Sequence, residues 1–413
     1  MLDDLFPHLA AIALEGAKGV GKTATASQRA DTVLALDRPG QREVVAADID
    51  YVTQVSRPVL IDEWQLEPSV WDRVRAAVDS NGRGGQFLLA GSAGVAPGVR
   101  LHSGAGRIVS RTMRPLSIAE RGLEEPTVSL HDLMSGNAAR IQGTSSLGLS
   151  TYTDEILSSG FPAIRALPER ARQVQLDSYL TRIVEKELPE SGVSVRRPDA
   201  LRAWLTAYGA ASATDATYAK ILDAATGGEP DKPSRATVDS YREHLTRIFV
   251  LDPLPAWTPM FNPLKRLTRS AKHHLVDPAL AARLVGVGRA GLLRGEGHRV
   301  VTATGTWLGA LFESLAAQSV RVYAEAASAR VGHMRTKETD HEIDLIVESD
   351  DRHVLAIEVK LAETVSDADV KHLNWLHAQI GNRLVDRVLI TTGRHAYRRP
   401  DGVAVVPLGL LGP

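Results

Sequence analysis

"ALEGAKGVGKTATASQ", Ala13 to Gln28, runs from apolar residues into a segment holding three glycines, two lysines and two threonines. Gly16, four intervening residues, then Gly21, Lys22 and Thr23 satisfy G-x-x-x-x-G-K-[ST]. In that pattern glycines let backbone N–H groups close around phosphates, and the lysine adds a cation. Gly16, Gly19, Val20, Gly21 and Lys22 are therefore candidate ATP contacts, with the Thr23 hydroxyl on Mg2+. "LAAIALE" before the loop has the length of a buried strand, and "TATASQRA" after it continues as a helix. That context favours a phosphate cradle over a glycine-rich surface turn.

At 413 residues the chain is long for one core, and roughly two to four domains are expected. Lysine and arginine number 48 against 49 acidic residues, so any basic surface is local. The absence of cysteine excludes disulfides and thiolate zinc sites. No apolar run reaches membrane-spanning length, and "MLDDLF" lacks the cationic flank of a signal peptide. A soluble cytoplasmic protein without a membrane partner is the expectation.

Strand-length runs "LAAIALE", "TVLALD", "RPVLIDE", "QFLLAGS" and "GRIVSRTMRPLS" alternate with helical patterns over residues 1–122. The pattern predicts an α/β unit with a parallel sheet. Asp62 and Glu63 close the third strand, where a P-loop enzyme holds magnesium through the first acid and orients water with the second. A helix cap near Pro68 is the plainer role for the same pair. "FLLAGSAG" ends in small polar residues beginning at Ser92.

With these pieces, and with "SGAGRIVSRTMRPLSIAE" and "SSGFPA" in the same order, the chain resembles the AAA-type ATPases. The likeness is to a prokaryotic group that carries an AAA core in front of a C-terminal nuclease-like domain. The resemblance implies that the Asp62 strand lies beside the "FLLAG" strand, which adjoins the P-loop strand. It implies a γ-phosphate sensor role for Ser92. It also implies that Arg107 reaches the phosphates, with Arg111 and Arg114 as nearby alternatives.

Residues 123–150 read as a polar connection, and the helical patterns that follow, to about residue 200, read as a small lid. Ser159 stands where relatives often have a second glycine before Gly160. Residues 201–262 read as three helices and a strand, with Ser234 capping the third helix. That order resembles a winged helix, whose third helix displays Arg235, Asp239 and Arg242. It serves either as a DNA reader or as a packing module. Lys265, Arg266, Arg269 and Lys272 form an acid-free basic run that is a candidate for nucleic-acid phosphate contact.

"HEIDLIVESDDRHVLAIEVK" reads as a hairpin with the turn "SDDR". Asp344 and Glu358 then come together beside Lys360, and such a group can bind a hard cation and activate water. The stretch resembles the PD-(D/E)XK restriction-endonuclease-like fold, with Glu313 supplied by the helix "TWLGALFESLAAQSV". The expectation for residues 263–413 is thus a nuclease-like domain acting on DNA or RNA, with Glu313, Asp344 and Glu358 binding Mg2+ or Mn2+ and Lys360 catalytic. A domain that keeps its acids yet serves as a binding or dimerising platform is the alternative. A homo-oligomer or a protein partner stays open.

Overall fold

The computed structural model describes residues 1–92, 102–136, 140–190, 195, 197–227, 233–258, 270–297, 306–336 and 341–413. Five strands, β1 (Ala11–Glu15), β2 (Thr32–Ala35), β3 (Val59–Asp62), β4 (Phe87–Gly91) and β5 (Ile108–Thr112), form a parallel sheet in the order β2-β3-β4-β1-β5. The central strands are buried on both faces, as a parallel sheet requires. Alternation along β1 sends Ala11 and Ala13 into one core with Val70 and Val74, and Ile12 and Leu14 into another with Phe6 and Ala26. The order sets the Asp62 strand beside "FLLAG" and "FLLAG" beside the loop strand, matching the expectation from the resemblance.

The C-terminal sheet contains β7 (Gly143–Thr144), β8 (Arg330–Arg335), β9 (Glu342–Glu348), β10 (Val354–Val359), β11 (Leu384–Thr391), β12 (His395–Arg398) and β13 (Ala404–Pro407). Its order is β7-β12-β13-β11-β10-β9-β8. β9 and β10 are the expected antiparallel hairpin, and Ile357 lies opposite Leu345. One residue further on, Glu358 and Asp344 leave the paired region together.

The connection of residues 123–150 also carries short strands, which its reading as a polar connection did not include. It supplies β7 at the sheet edge, and its β6 (Val128–Ser129) pairs with β14 (Leu411–Gly412). These pairings are too short to carry a period in the sequence and are formed entirely by distant partners.

Helices Pro198–Ala210, Tyr218–Thr226 and Arg235–Arg247 precede antiparallel bridges from Leu251 to Leu275 and from Leu254 to Lys272. Those bridges cross the expected boundary between residues 262 and 263. Ser234 caps the third helix by accepting the Thr237 N–H at 3.1 Å. Arg235 is exposed, whereas Arg242 lies over the Tyr218 ring at 4.5 Å and pairs with Asp239 at 3.4 Å. Trp204, Leu280, Leu311 and Leu355 share one hydrophobic core, so this unit is packed continuously with the C-terminal sheet. Among the described residues no helix is long and apolar enough to cross a membrane.

Candidate functional site

The loop after β1 is built on backbone angles that favour glycine, with φ of 151° at Gly16, 84° at Gly19 and 100° at Gly21. A Cβ on Gly16 would come within 2.2 Å of the Met113 carbonyl oxygen, so this position also needs glycine for space. Val20, within the loop, is buried, and Lys22 opens the helix Lys22–Ser27. Lys22 Nζ donates to the carbonyl oxygens of Gly16 at 2.8 Å and Ala17 at 2.9 Å. Burial pushes its pKa down to about 8, only partly opposed by Glu63 and Asp62. A desolvated ammonium held by neutral carbonyls is ready to transfer its hydrogen bonds to an anion.

Thr23 Oγ1 donates to both Asp62 oxygens, at 2.9 and 3.0 Å. Burial raises the Asp62 pKa, against the lowering effect of the Thr23 hydrogen bond. A hydroxyl and a carboxylate side by side at the loop mouth fit the donor set that magnesium takes. Glu63 adopts a left-handed φ of 52° and is held by the Gln65 amide. A left-handed residue here ends the extended path of β3 immediately after Asp62. Ser92 is buried directly after β4, at the same end of the sheet as the loop.

Arg107 requires a correction. It precedes Ile108, which lies opposite Ala11 at the start of β1, whereas the phosphate loop leaves the other end of β1 after Glu15. Within the chain Arg107 pairs with Asp79 at 2.7 Å and cannot reach the loop, because the length of β1 separates them. Arg114 is also engaged, with Asp252 at 2.8 Å. Arg111 lies opposite Leu14 near the loop end, and its buried Nε has no hydrogen-bond partner among the described residues.

The helical segment expected to form a lid contacts the loop directly. Tyr179 Oη donates to the Lys18 carbonyl at 3.2 Å, Lys18 pairs with Glu187 at 2.6 Å, and Phe161 and Pro162 stand over Gly19 and Gly21. Ser159, with φ 66° and ψ 156°, occupies a region nearly reserved for glycine. Its hydroxyl donates to Asp277 at 3.0 Å and accepts the Phe161 N–H at 3.1 Å. Asp277 is wholly buried, also takes the Gly160 N–H at 2.6 Å, and caps the helix Pro278–Val285 through the Ala279 N–H at 2.8 Å. Sequence reasoning missed Asp277 and Tyr179. The Asp-Pro pair at residues 277–278 was a readable helix start, but its link to Gly160 was not.

In the C-terminal sheet, Glu313, Asp344 and Glu358 converge, but with a lysine among them. Lys272 Nζ lies 2.7 Å from Glu313 Oε1, 2.8 Å from Asp344 Oδ1 and 3.0 Å from Glu342 Oε1. The second Asp344 oxygen accepts the Val359 N–H at 3.0 Å, and Lys360 Nζ donates to Glu358 at 2.8 Å. Burial opposes charge on Lys272, yet Asp344, Glu313 and Glu342 outweigh it and hold its pKa well above the usual lysine value. Burial, reinforced by Asp344, pushes Glu313 and Glu358 up to about 8. Asp344 stays low because Lys272 and Lys360 overcome the cost of its burial. Lys360 is raised, since Glu358 and Asp344 overcome its desolvation.

Two expectations change here. The expected metal ligands Glu313, Asp344 and Glu358 do not fit a divalent ion in this arrangement, because Lys272 takes oxygens of Glu313 and Asp344 and Lys360 takes one of Glu358. Among the described residues no group of three or more acids or histidines is disposed to hold a metal. Lys272, read as part of a phosphate-binding run, is 2% exposed and turned into the protein. His273 and His274 beside it are buried as well, and Lys265, Arg266 and Arg269 lie outside the described residues.

Residues 9–121 match a family described as an AAA domain, which makes the N-terminal unit an AAA-type P-loop domain. Residues 149–290 match a domain of unknown function, DUF8612, and residues 308–411 match another, DUF4143. An uncharacterised protein of Mycobacterium bovis and another of Mycobacterium tuberculosis are each 26% identical to the chain over 354 residues, covering 84% of this chain and 68% of their own length.

Proposed function

We propose that the protein is a magnesium-dependent ATPase whose nucleotide state is read by its lid and passed to a C-terminal nucleic-acid- or protein-binding domain. The observation that carries this reading is the Lys22, Thr23, Asp62 and Glu63 constellation at one end of a parallel sheet. Lys22 binds the β- and γ-phosphates, the loop N–H groups surround them, and Glu63 accepts a proton from the attacking water. Magnesium, held through Thr23 and Asp62, would supply charge neutralisation at the phosphates. Ser92 orients the γ-phosphate or the water, and Arg111 replaces Arg107 as the arginine within the chain's own reach. Isothermal calorimetry with Lys22→Ala tests the site: ATP affinity is expected to be lost with the fold retained, and an unchanged affinity would remove the P-loop reading.

For the C-terminal unit two readings differ in chemistry. In one, an endonuclease-like domain cleaves DNA or RNA with Lys360 assisting. In the other, nucleotide occupancy switches a non-cleaving surface that recruits DNA or a protein, as in a defence or toxin-antitoxin module. The ammonium inside the carboxylate cluster favours the second. Incubating the chain with DNA and with RNA in Mg2+ or Mn2+ distinguishes them, because cleavage lost in Asp344→Ala would restore the first.

A further inference from the structure

We infer that Lys272 is a built-in cation that replaces the metal ion of the C-terminal carboxylate cluster and keeps this centre closed to divalent ions in the resting chain. The inference does not depend on ATP hydrolysis and concerns a different part of the molecule.

The cluster is assembled from separate elements. Glu313 comes from the helix Trp307–Ala326, Glu342 and Asp344 from β9, and Glu358 from β10. The cation comes from none of these. Lys272 sits on the segment that pairs back along Leu251–Leu254, held there by the Leu254 N–H and carbonyl, each 2.9 Å from its own backbone. An ammonium has three protons to donate; Glu313 and Asp344 each accept one, and Glu342 lies 3.0 Å away as a third ion-pair partner. Among the described residues its charged partners are therefore three carboxyl groups. Among the described residues no backbone carbonyl accepts from its ammonium, in contrast to Lys22.

Such an arrangement is selective. A lysine this deeply buried is costly unless its charge is matched, and a carboxylate group this crowded is costly unless a cation lies within it. Each removes the other's penalty, which is the role a hard divalent ion plays in an open carboxylate site. One acceptor remains over: Glu358 Oε2 is buried and has no hydrogen-bond partner among the described residues. The other oxygen of this carboxyl group accepts from Lys360 at 2.8 Å. A divalent ion can enter only by displacing Lys272, and displacement would strip the ammonium of all three partners at once.

The position of Lys272 also connects the cluster to the rest of the chain. The same segment runs on to Asp277, which receives Ser159 and Gly160 from the turn standing over the phosphate loop. The cation is thus carried by the segment that binds the lid, not by the sheet that carries the acids.

Mn2+ binding to the 413-residue chain without nucleotide tests the inference, read by the electron paramagnetic resonance of free Mn2+. Wild type and Asp344→Asn are expected to take up the same amount, because the cluster contributes no site. Lys272→Ala is expected to gain one Mn2+ site, lost again in Lys272→Ala/Asp344→Asn, and Mn2+ should raise its melting temperature by a few degrees through mass action. If Lys272→Ala does not fold, Lys272→Gln, which keeps a donor without the charge, takes its place in the same titration. An Asp344-dependent Mn2+ site in the wild type would overturn the inference. So would folded Lys272 variants that gain no Asp344-dependent site.

Discussion

Lys22 and Lys272 are both nearly inaccessible to water, at 6% and 2% exposure, yet their surroundings drive them in opposite directions. Lys22 is held by two carbonyl oxygens, with its carboxylates Asp62 and Glu63 too far off to offset desolvation, and its pKa falls to about 8. Lys272 is enclosed by three carboxylates and its pKa rises. The first ammonium still has its strongest partner to gain, and the second already has it. On the readings proposed above, burial of a charged residue marks a nucleotide site in one region and a closed internal cluster in the other. What distinguishes them is the charge of the first neighbours.

The contrast breaks most directly by removing each lysine. Lys272→Ala leaves Glu313, Glu342 and Asp344 facing one another in a dry site and is expected to cost about 3–5 kcal/mol, the usual effect of removing one partner from a buried ion pair. Lys22→Ala removes a cation whose neighbours are neutral carbonyls and should cost far less, while abolishing ATP affinity. Urea unfolding of the two variants under metal-free conditions gives the comparison, and equal losses would dissolve it.

Glu63→Gln keeps the shape of the loop site and removes only its ability to accept a proton. ATP should bind as before, and turnover should fall roughly a hundredfold or more. Hydrolysis at the parental rate would move the base elsewhere.

A smaller effect sharpens the view of the junction between the two regions. Ser159 is held in a backbone region that costs a non-glycine residue about 1–3 kcal/mol, and two hydrogen bonds of its hydroxyl offset this. Ser159→Ala loses the bonds and keeps the strain, whereas Ser159→Gly loses both. The alanine variant should melt below the glycine variant, and the reverse order would show that the turn is not strained.

The two lysine environments also predict opposite responses to pH. Glu313 and Glu358, raised from 4.5 to about 8, hold protons in the folded chain that the unfolded chain releases. Their contribution to stability accordingly falls as pH rises through that window. Lys22 is lowered from 10.5 to about 8, so the folded chain binds fewer protons there than the unfolded one. Its contribution improves as pH rises between those values. Melting temperatures of Glu358→Gln against wild type, from pH 5 to 8, should show a flatter decline in the variant. Parallel curves would mean that Glu358 is ionised throughout.

Much of the first region was legible because its chemistry is contiguous. The glycines, Lys22 and Thr23 lie within eight residues, and their spacing alone imposes the loop. Asp62 and Glu63 needed only a strand ending to be placed, and the β9–β10 hairpin was readable from its alternation and turn. Arg107 was misplaced because nothing in "GAGRI" says at which end of a strand the arginine stands; that depends on β5 running parallel to β1. Residues 123–150 read as a connection because their strands exist only by pairing with β12 and β14.

The sequence by itself determined that the chain carries a phosphate-binding loop, an acidic strand end and a carboxylate hairpin, since each follows from local periodicity and residue type. Tertiary structure alone decided what fills the carboxylates. Lys272 is separated from Glu313 by 41 residues and from Asp344 by 72, and it lies in a run whose local composition suggests a solvated basic surface. Charge neutralisation acts through space over a few ångströms, so the fate of a lysine depends on which distant carboxylates the folded chain sets beside it.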